Sequence, residues 1–190
     1  MLRSPLAAAA VFALSVPAGA TEYDAALQDF LDTEMRQWAE SPLIVDALIQ
    51  QNALHAGLDR DRILELDRAW RADVGDPGSP IIAPVLNGPL AVYLRNLVDS
   101  TNGMVTEIFV MDDKGLNVAV SHITSDYWQG DEPKYQQTYA RGADGVHISE
   151  IEFDESSQRF QGQISITLTD PASGAPIGAM TVGVDAEALM

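Results

Sequence analysis

Up to Gly103 apolar residues recur every three or four positions; beyond Met104 they alternate every two, and that change of period most constrains the fold. Tyr23, Leu27, Phe30, Leu31, Met35 and Trp38 form one stripe of an amphipathic helix. Ser41-Pro42 starts a second helix through Leu43, Ile44, Ala47, Leu48 and Leu54, and Gly57 ends it. Asp59 can cap a third, whose buried side is expected to hold Ile63, Leu64, Leu66, Trp70 and Val74. Its arginines, Arg60, Arg62, Arg68 and Arg71, sit among acids and predict surface ion pairs. Gly75-Asp-Pro-Gly-Ser-Pro80 must be a loop, and a further helix runs from about Pro89 to Thr101.

The strand half begins with the apolar run 105–111, the turn sequence Asp112-Asp-Lys-Gly115 and the alternating run 116–121, a hairpin. Residues 146–153 and 160–169 predict a second hairpin. Val146 and Ile148 are out of phase with Ile151 and Phe153, which places a bulge near Ser149 or Glu150. Asp170-Pro-Ala-Ser-Gly174 turns into a last strand over 175–184. Helices followed by five antiparallel strands give an α+β domain, with the N-terminal helices packed on one face of a single sheet.

Residues 1–20 read as an export signal and 21–190 as a single domain. Arg3 is the positive start, Leu6 to Val16 the short apolar stretch and Ala18-Gly19-Ala20 the cleavage site. Cleavage near Ala20 would give a periplasmic or secreted chain with no stable membrane insertion. The sequence carries 28 acidic against 11 basic residues, a formal charge of −17, which excludes nucleic acid as a partner because phosphate binding needs clustered Lys and Arg. There is no cysteine, so stability comes from packing alone.

Between the second and third predicted strands, Ser125–Gly142 holds Tyr127, Trp128, Tyr135 and Tyr139 interleaved with Asp126, Lys134 and Arg141. Ring faces with a few polar groups are the mixture that small-ligand pockets need. The alternative is a plug, in which Trp128 and Tyr135 close the open side of the sheet and Asp126 caps a short helix starting at Tyr127. Lys134 or Arg141 suits a carboxylate, to which the reading leans; Asp126 beside the rings suits an amine. Ser121, His122 and Tyr93 are secondary candidates, on the second strand and the last helix.

The segments Glu107-Ile-Phe-Val-Met-Asp-Asp-Lys-Gly-Leu116, Ser125-Asp-Tyr-Trp-Gln-Gly-Asp-Glu132 and Ile177-Gly-Ala-Met-Thr-Val-Gly-Val-Asp185 together resemble an extracytoplasmic Cache domain, the PAS-like sensor fold also called PDC. The resemblance, of the single-Cache type, spans 23–185. It implies a small-molecule pocket between the sheet and the segment joining strands two and three, and a first helix able to mediate dimerisation. It also implies occupancy relayed to a signalling protein, here a separate membrane partner. The arginine and aromatic spacing of amino-acid-binding double Cache domains is absent in recognisable form.

An enzyme is not expected. His55, His122 and His147 are scattered, no Gly-x-Ser-x-Gly elbow or phosphate loop occurs, and Asp112-Asp113 lacks the rest of a calcium loop, so neither metal nor cofactor is implied. A second class of function remains open: an interaction module with a closed pocket that uses the first helix for dimer or partner contacts.

Overall fold

The computed structural model describes residues 18–154 and 157–189. The leader expected at 1–20 lies outside them, apart from Ala18 to Ala20 in the first helical turn. Helix α1 (Ala18–Phe30) continues through a π-helical turn, Leu31–Met35, into α2 (Arg36–Ala39). The extra residue in that turn rotates the apolar stripe. Tyr23, Leu27, Phe30, Leu31 and Met35 are buried, and Trp38 meets Phe30 edge-on at 5.5 Å. Helices α3 (Pro42–His55) and α4 (Arg60–Asp73) follow, the latter capped as expected by Asp59, whose carboxylate accepts from Arg62 N–H. Then come α5 (Ile82–Asn87) and α6 (Pro89–Ser100).

Burial along α3 is selective, and on α4 one expectation is corrected. On α3 the buried residues are Ile44, Val45 and Leu48, while Leu43 and Leu54 face outward; its apolar residues are spread around the axis and only one side meets the sheet. On α4, Val74 is exposed and Asp67 is buried in the stripe. Helix α5 was not expected. Its Pro84 sits in the first turn, where backbone N–H groups lack intrahelical partners and proline costs little.

The strands are β1 (Val105–Met111), β2 (Asn117–Val120), β3 (Val146–Ile148), β4 (Glu152–Asp154), β5 (Arg159–Thr169) and β6 (Pro176–Asp185). All pairs are antiparallel, in the order β2-β1-β6-β5-β3, with β4 pairing β5 beyond β3. The sheet has six strands rather than five because the predicted third strand breaks at 149–151, where its phase changes. Short helical turns, α7 (Pro133–Gln136) and Tyr139–Arg141, lie in the β2–β3 connection.

Strand alternation sorts residues into two faces. Ile108, Val110, Ile164, Ile166, Leu168, Met180, Val182 and Val184 pack with α1, α3 and α6 in one core. Phe109, Met111 and Ala179 point the other way, into a second core with Ile63 and Trp70 of α4, Ile82 and Val85 of α5, and Tyr127, Trp128 and Tyr135 of the β2–β3 connection. The helices therefore divide between the faces. The second core covers only the β1–β2 half, so beyond Phe109 the second face runs out into polar Glu107, Gln161 and Gln163.

Candidate functional site

The β2–β3 connection is held down by buried hydrogen bonds. Asp67 Oδ1 accepts from both Tyr127 N–H and Trp128 N–H at 3.0 Å, and its Oδ2 pairs with Arg71 Nε at 2.8 Å. Arg71 also reaches Asp126 Oδ2 at 3.1 Å. Trp128 donates from Nε1 to Lys114 O at 2.8 Å, and Tyr135 Oη donates to Asp113 O at the same distance. Tyr127 stacks on Trp70 at 5.2 Å, and Tyr139 stacks on Tyr135 at 5.3 Å. Arg60 lies 5.2 Å above the Trp128 ring, a cation–π contact in place of the expected ion pair. Burial first, then the Asp112 charge, pushes the Tyr127 phenol up; burial does the same at Tyr135. Both stay neutral at any physiological pH.

Residues 127–130 form no helix. Trp128 instead makes an isolated antiparallel bridge with Leu116, so Asp126 caps nothing there. Gly130 makes this possible: a Cβ at that position would stand 2.3 Å from the Trp128 ring nitrogen. Tyr127, Trp128 and Tyr135 thus pack as a plug on one half of the face.

Beside the plug lies an open cavity of about 540 Å³. Glu132, Pro133 and Lys134 form one wall, His147, Ser149 and Glu150 of the sheet edge another, and Gln161 and Gln163 of β5 line it between them. Gln161 Nε2 donates to the buried Glu107 carboxylate at 2.8 Å, across the β6 position held by Gly183. A Cβ at Gly183 would come within 2.8 Å of Gln161 Oε1, so glycine lets this polar row close over the sheet. Lys134 Nζ pairs with Glu132 Oε2 at 2.8 Å and sits 5.3 Å from the Phe109 ring. Burial, and then the Lys134 charge, hold the His147 imidazole below its usual range.

Of the residues singled out from sequence, Lys134 alone lines this cavity. His122 lines a separate cavity of about 390 Å³ with Asp99, Thr106, Glu107, Ser157 and Arg159. Next to it, Ser121 Oγ accepts from Ile108 N–H at 2.9 Å and is 3.1 Å from His122 Nδ1, the nitrogen its hydroxyl can donate to. Tyr93 is half-buried against the α-helical core of the first face, on the other side of the sheet, because α6 packs there. Arg141 is exposed and bonds Gln137. Sequence reasoning missed His147, Gln161 and Gln163. Their signal was the polar phase of strands whose other phase is Ile148, Ile164 and Ile166.

The His147 shift gives a testable sign. The folded chain resists protonation there, so as pH falls through about 6.5 the unfolded chain takes up a proton that the folded one does not, and stability declines. His147→Gln should lose less stability than the parent over this step in urea melts. Equal losses would rule the residue out as a source.

No protein-family profile matches the sequence, and no curated protein does. Solved structures do match. The extracellular domain of vpHK1S-Z8, described as a candidate histidine kinase, superposes with a TM-score of 0.50 at 13% identity, covering 90% of this chain and 56% of that one. The sensor domain of the Vibrio cholerae histidine kinase DctB gives 0.46 at 11% identity, over 90% and 55%. The ligand-binding domain of the Campylobacter jejuni chemoreceptor Tlp3, in complex with L-valine, gives 0.44 at 14% identity, over 89% and 65%. The chain thus spans less than two thirds of the length of these structures. Among the described residues no helix is long and apolar enough to cross a membrane. Strand order, the helical first face and the superposition on vpHK1S-Z8 agree with the resemblance carried by the sequence: this chain has the α+β, PAS-like fold of Cache sensor domains.

Proposed function

We propose that the protein is an exported, non-enzymatic sensory domain that binds a small metabolite in the cavity of about 540 Å³ and relays its occupancy to a separate membrane partner. The observation that carries this reading is the half-filled second face of the sheet. One half is closed by packed rings; the other is concave, polar and open, with built-in donors and acceptors. The fold it shares with an extracellular domain supports the placement outside the cytoplasm, and the small residues Ala18-Gly19-Ala20 after a short apolar stretch support signal cleavage near Ala20.

The lining favours a zwitterion. Lys134 is the one cationic side chain among the described lining residues, and it gives a ligand carboxylate its partner, with the Gln161 and Gln163 amides beside it. Glu132, Glu150, Glu152 and Asp154 make the rest of the rim negative and draw an ammonium. A small amino acid or related amino-carboxylate satisfies both. The dimer or partner module built on the first helix has less support, since Tyr23 and Phe30 are spent inside the chain's own core.

Isothermal titration of the purified protein with amino acids, amines and simple carboxylates tests the reading. Lys134→Met should weaken the best zwitterion at least about tenfold, the usual scale of a charge-assisted contact. Unchanged affinity in a folded variant would remove the cavity from consideration.

A further inference from the structure

On the helical face of the sheet, away from the larger cavity, α1 and the end of α6 enclose an open groove of about 400 Å³. One wall is the row Ala26, Phe30, Glu34 and Trp38, with Asp29 and Thr33 beside it; the other is Ser100, Thr101 and Met104. Steps of four residues drift round an α-helix, but the wider π-helical turn Leu31–Met35 offsets the drift and keeps this row in line. The neighbouring row ties that turn: Thr33 Oγ1 donates to Asp29 O at 2.9 Å and Gln37 Nε2 to Thr33 O at 2.8 Å. Phe30 and Trp38 meet at 80° and form the apolar corner of the groove, with Trp38 only half-buried. The polar groups around that corner present acceptors. Glu34 stands in the row between the two rings and Asp29 flanks it; among the described residues neither carboxylate has an ion-pair or hydrogen-bond partner. Across the groove, Ser100 Oγ donates its proton to Leu97 O at 2.7 Å, which leaves its oxygen as an acceptor. The wall there is the negative end of α6, whose last turn carries no basic side chain. No Lys or Arg is among the described lining residues, and Arg36, on the same helix run, is turned to Asp32 at 3.0 Å.

We infer that this groove is a second binding site, for a small organic ammonium ion with an apolar body. The alkyl or aryl part packs on Phe30, Trp38 and Met104, and the ammonium group is held against the Trp38 ring by the carboxylates of Glu34 and Asp29. Both contacts favour the same charge, since a tryptophan face and a carboxylate each attract a cation. A carboxylate or phosphate would instead meet two carboxylates and a helix C-terminus with no cation to pair with. An amino-acid zwitterion is disfavoured for the same reason, so this groove and the larger cavity select different ligands. The inference goes beyond the function proposed above and does not rest on it, because the two sites lie on opposite faces of the sheet and share no lining residue.

The test is isothermal titration of the purified protein with phenethylamine, and with phenylethanol as its uncharged analogue. The amine should bind saturably and the alcohol at least about tenfold more weakly. Asp29→Asn with Glu34→Gln, two exposed and nearly isosteric changes that leave the packing intact, should weaken the amine at least about tenfold. Trp38→Leu, checked for folding by a urea melt, should weaken it severalfold. No saturable binding, equal affinity for the alcohol, or an amine affinity untouched by the paired amide variant would overturn the proposal. Sedimentation that finds a dimer of the parent, dissociated by Trp38→Leu, would make the groove an interface between copies and overturn it as well. None of these results bears on the larger cavity, whose failure would appear in the zwitterion titrations instead.

Discussion

Trp128→Ala should lower the stability of the protein by about 3–5 kcal/mol, the cost of deleting a large buried ring, while leaving ligand affinity in the folded fraction nearly unchanged. Trp128 is 8% exposed, is bonded through Nε1 to Lys114 O, lies under Arg60 and has Gly130 pressed against its ring. Removal takes away the packing of Leu116, Tyr135 and Ile63 in the same core and leaves the Lys114 carbonyl without its donor. Chemical denaturation measures the loss, and titration of the refolded variant measures the affinity. A loss below about 1 kcal/mol would show that the ring is no plug, and abolished binding in a stable variant would make it a ligand contact after all.

Asp112→Ala should be of similar size. Asp112 is fully buried, and its Oδ1 accepts from Lys114 N–H and Leu116 N–H at 2.9 Å, which builds the β1–β2 turn. Its Oδ2 accepts from Gln51 at 3.2 Å and faces His55 Nδ1 at 2.7 Å, which ties the end of α3 to that turn. Alanine orphans two backbone donors and takes away the partner of His55, while Gln51 keeps its bond to Asn117 O; breaking a buried pair of this kind costs about 3–5 kcal/mol. Asparagine can still accept from the backbone but loses the charge opposite His55, so Asp112→Asn should recover part of the loss. Comparison of the two in urea melts checks this. If alanine and asparagine are equally harmful, the turn bonds are not what Asp112 contributes.

Much of this architecture was legible in the sequence for local reasons. The stripe from Tyr23 to Trp38, the Asp59 cap, the Asp112–Gly115 turn and the alternation of β5 and β6 are short-range patterns, and each folds as its period or turn chemistry dictates. Where the reading failed, the deciding contact was distant. Asp67 falls on the buried stripe between Ile63 and Trp70, and a carboxylate there signals a buried acceptor, but its donors are Tyr127 and Trp128, some sixty positions away. Leu54 looks like a core residue in a helix whose apolar residues are spread around its axis; which side is covered depends on where α3 meets β6. The site divided in the same way. The aromatic cluster marks the right connection, yet its rings were claimed by the α4 core, and the cavity opened next to it around Lys134. His147, Gln161 and Gln163 line that cavity from strands 14 to 16 residues apart, which no local motif records.

The central claim is that the open half of the second face holds a small metabolite, and a thermal-melt titration across amino acids, amines, carboxylates, sugars and purines tests it most directly. A ligand at about 100 times its dissociation constant should add roughly 2.7 kcal/mol and raise the midpoint by several degrees. The account predicts a saturable rise with a zwitterion that falls to about half or less in Lys134→Met at the same ligand concentration, while the variant's own midpoint stays close to that of the parent. A flat response across the panel from protein refolded free of any retained ligand, or a rise that survives Lys134→Met intact, would contradict it.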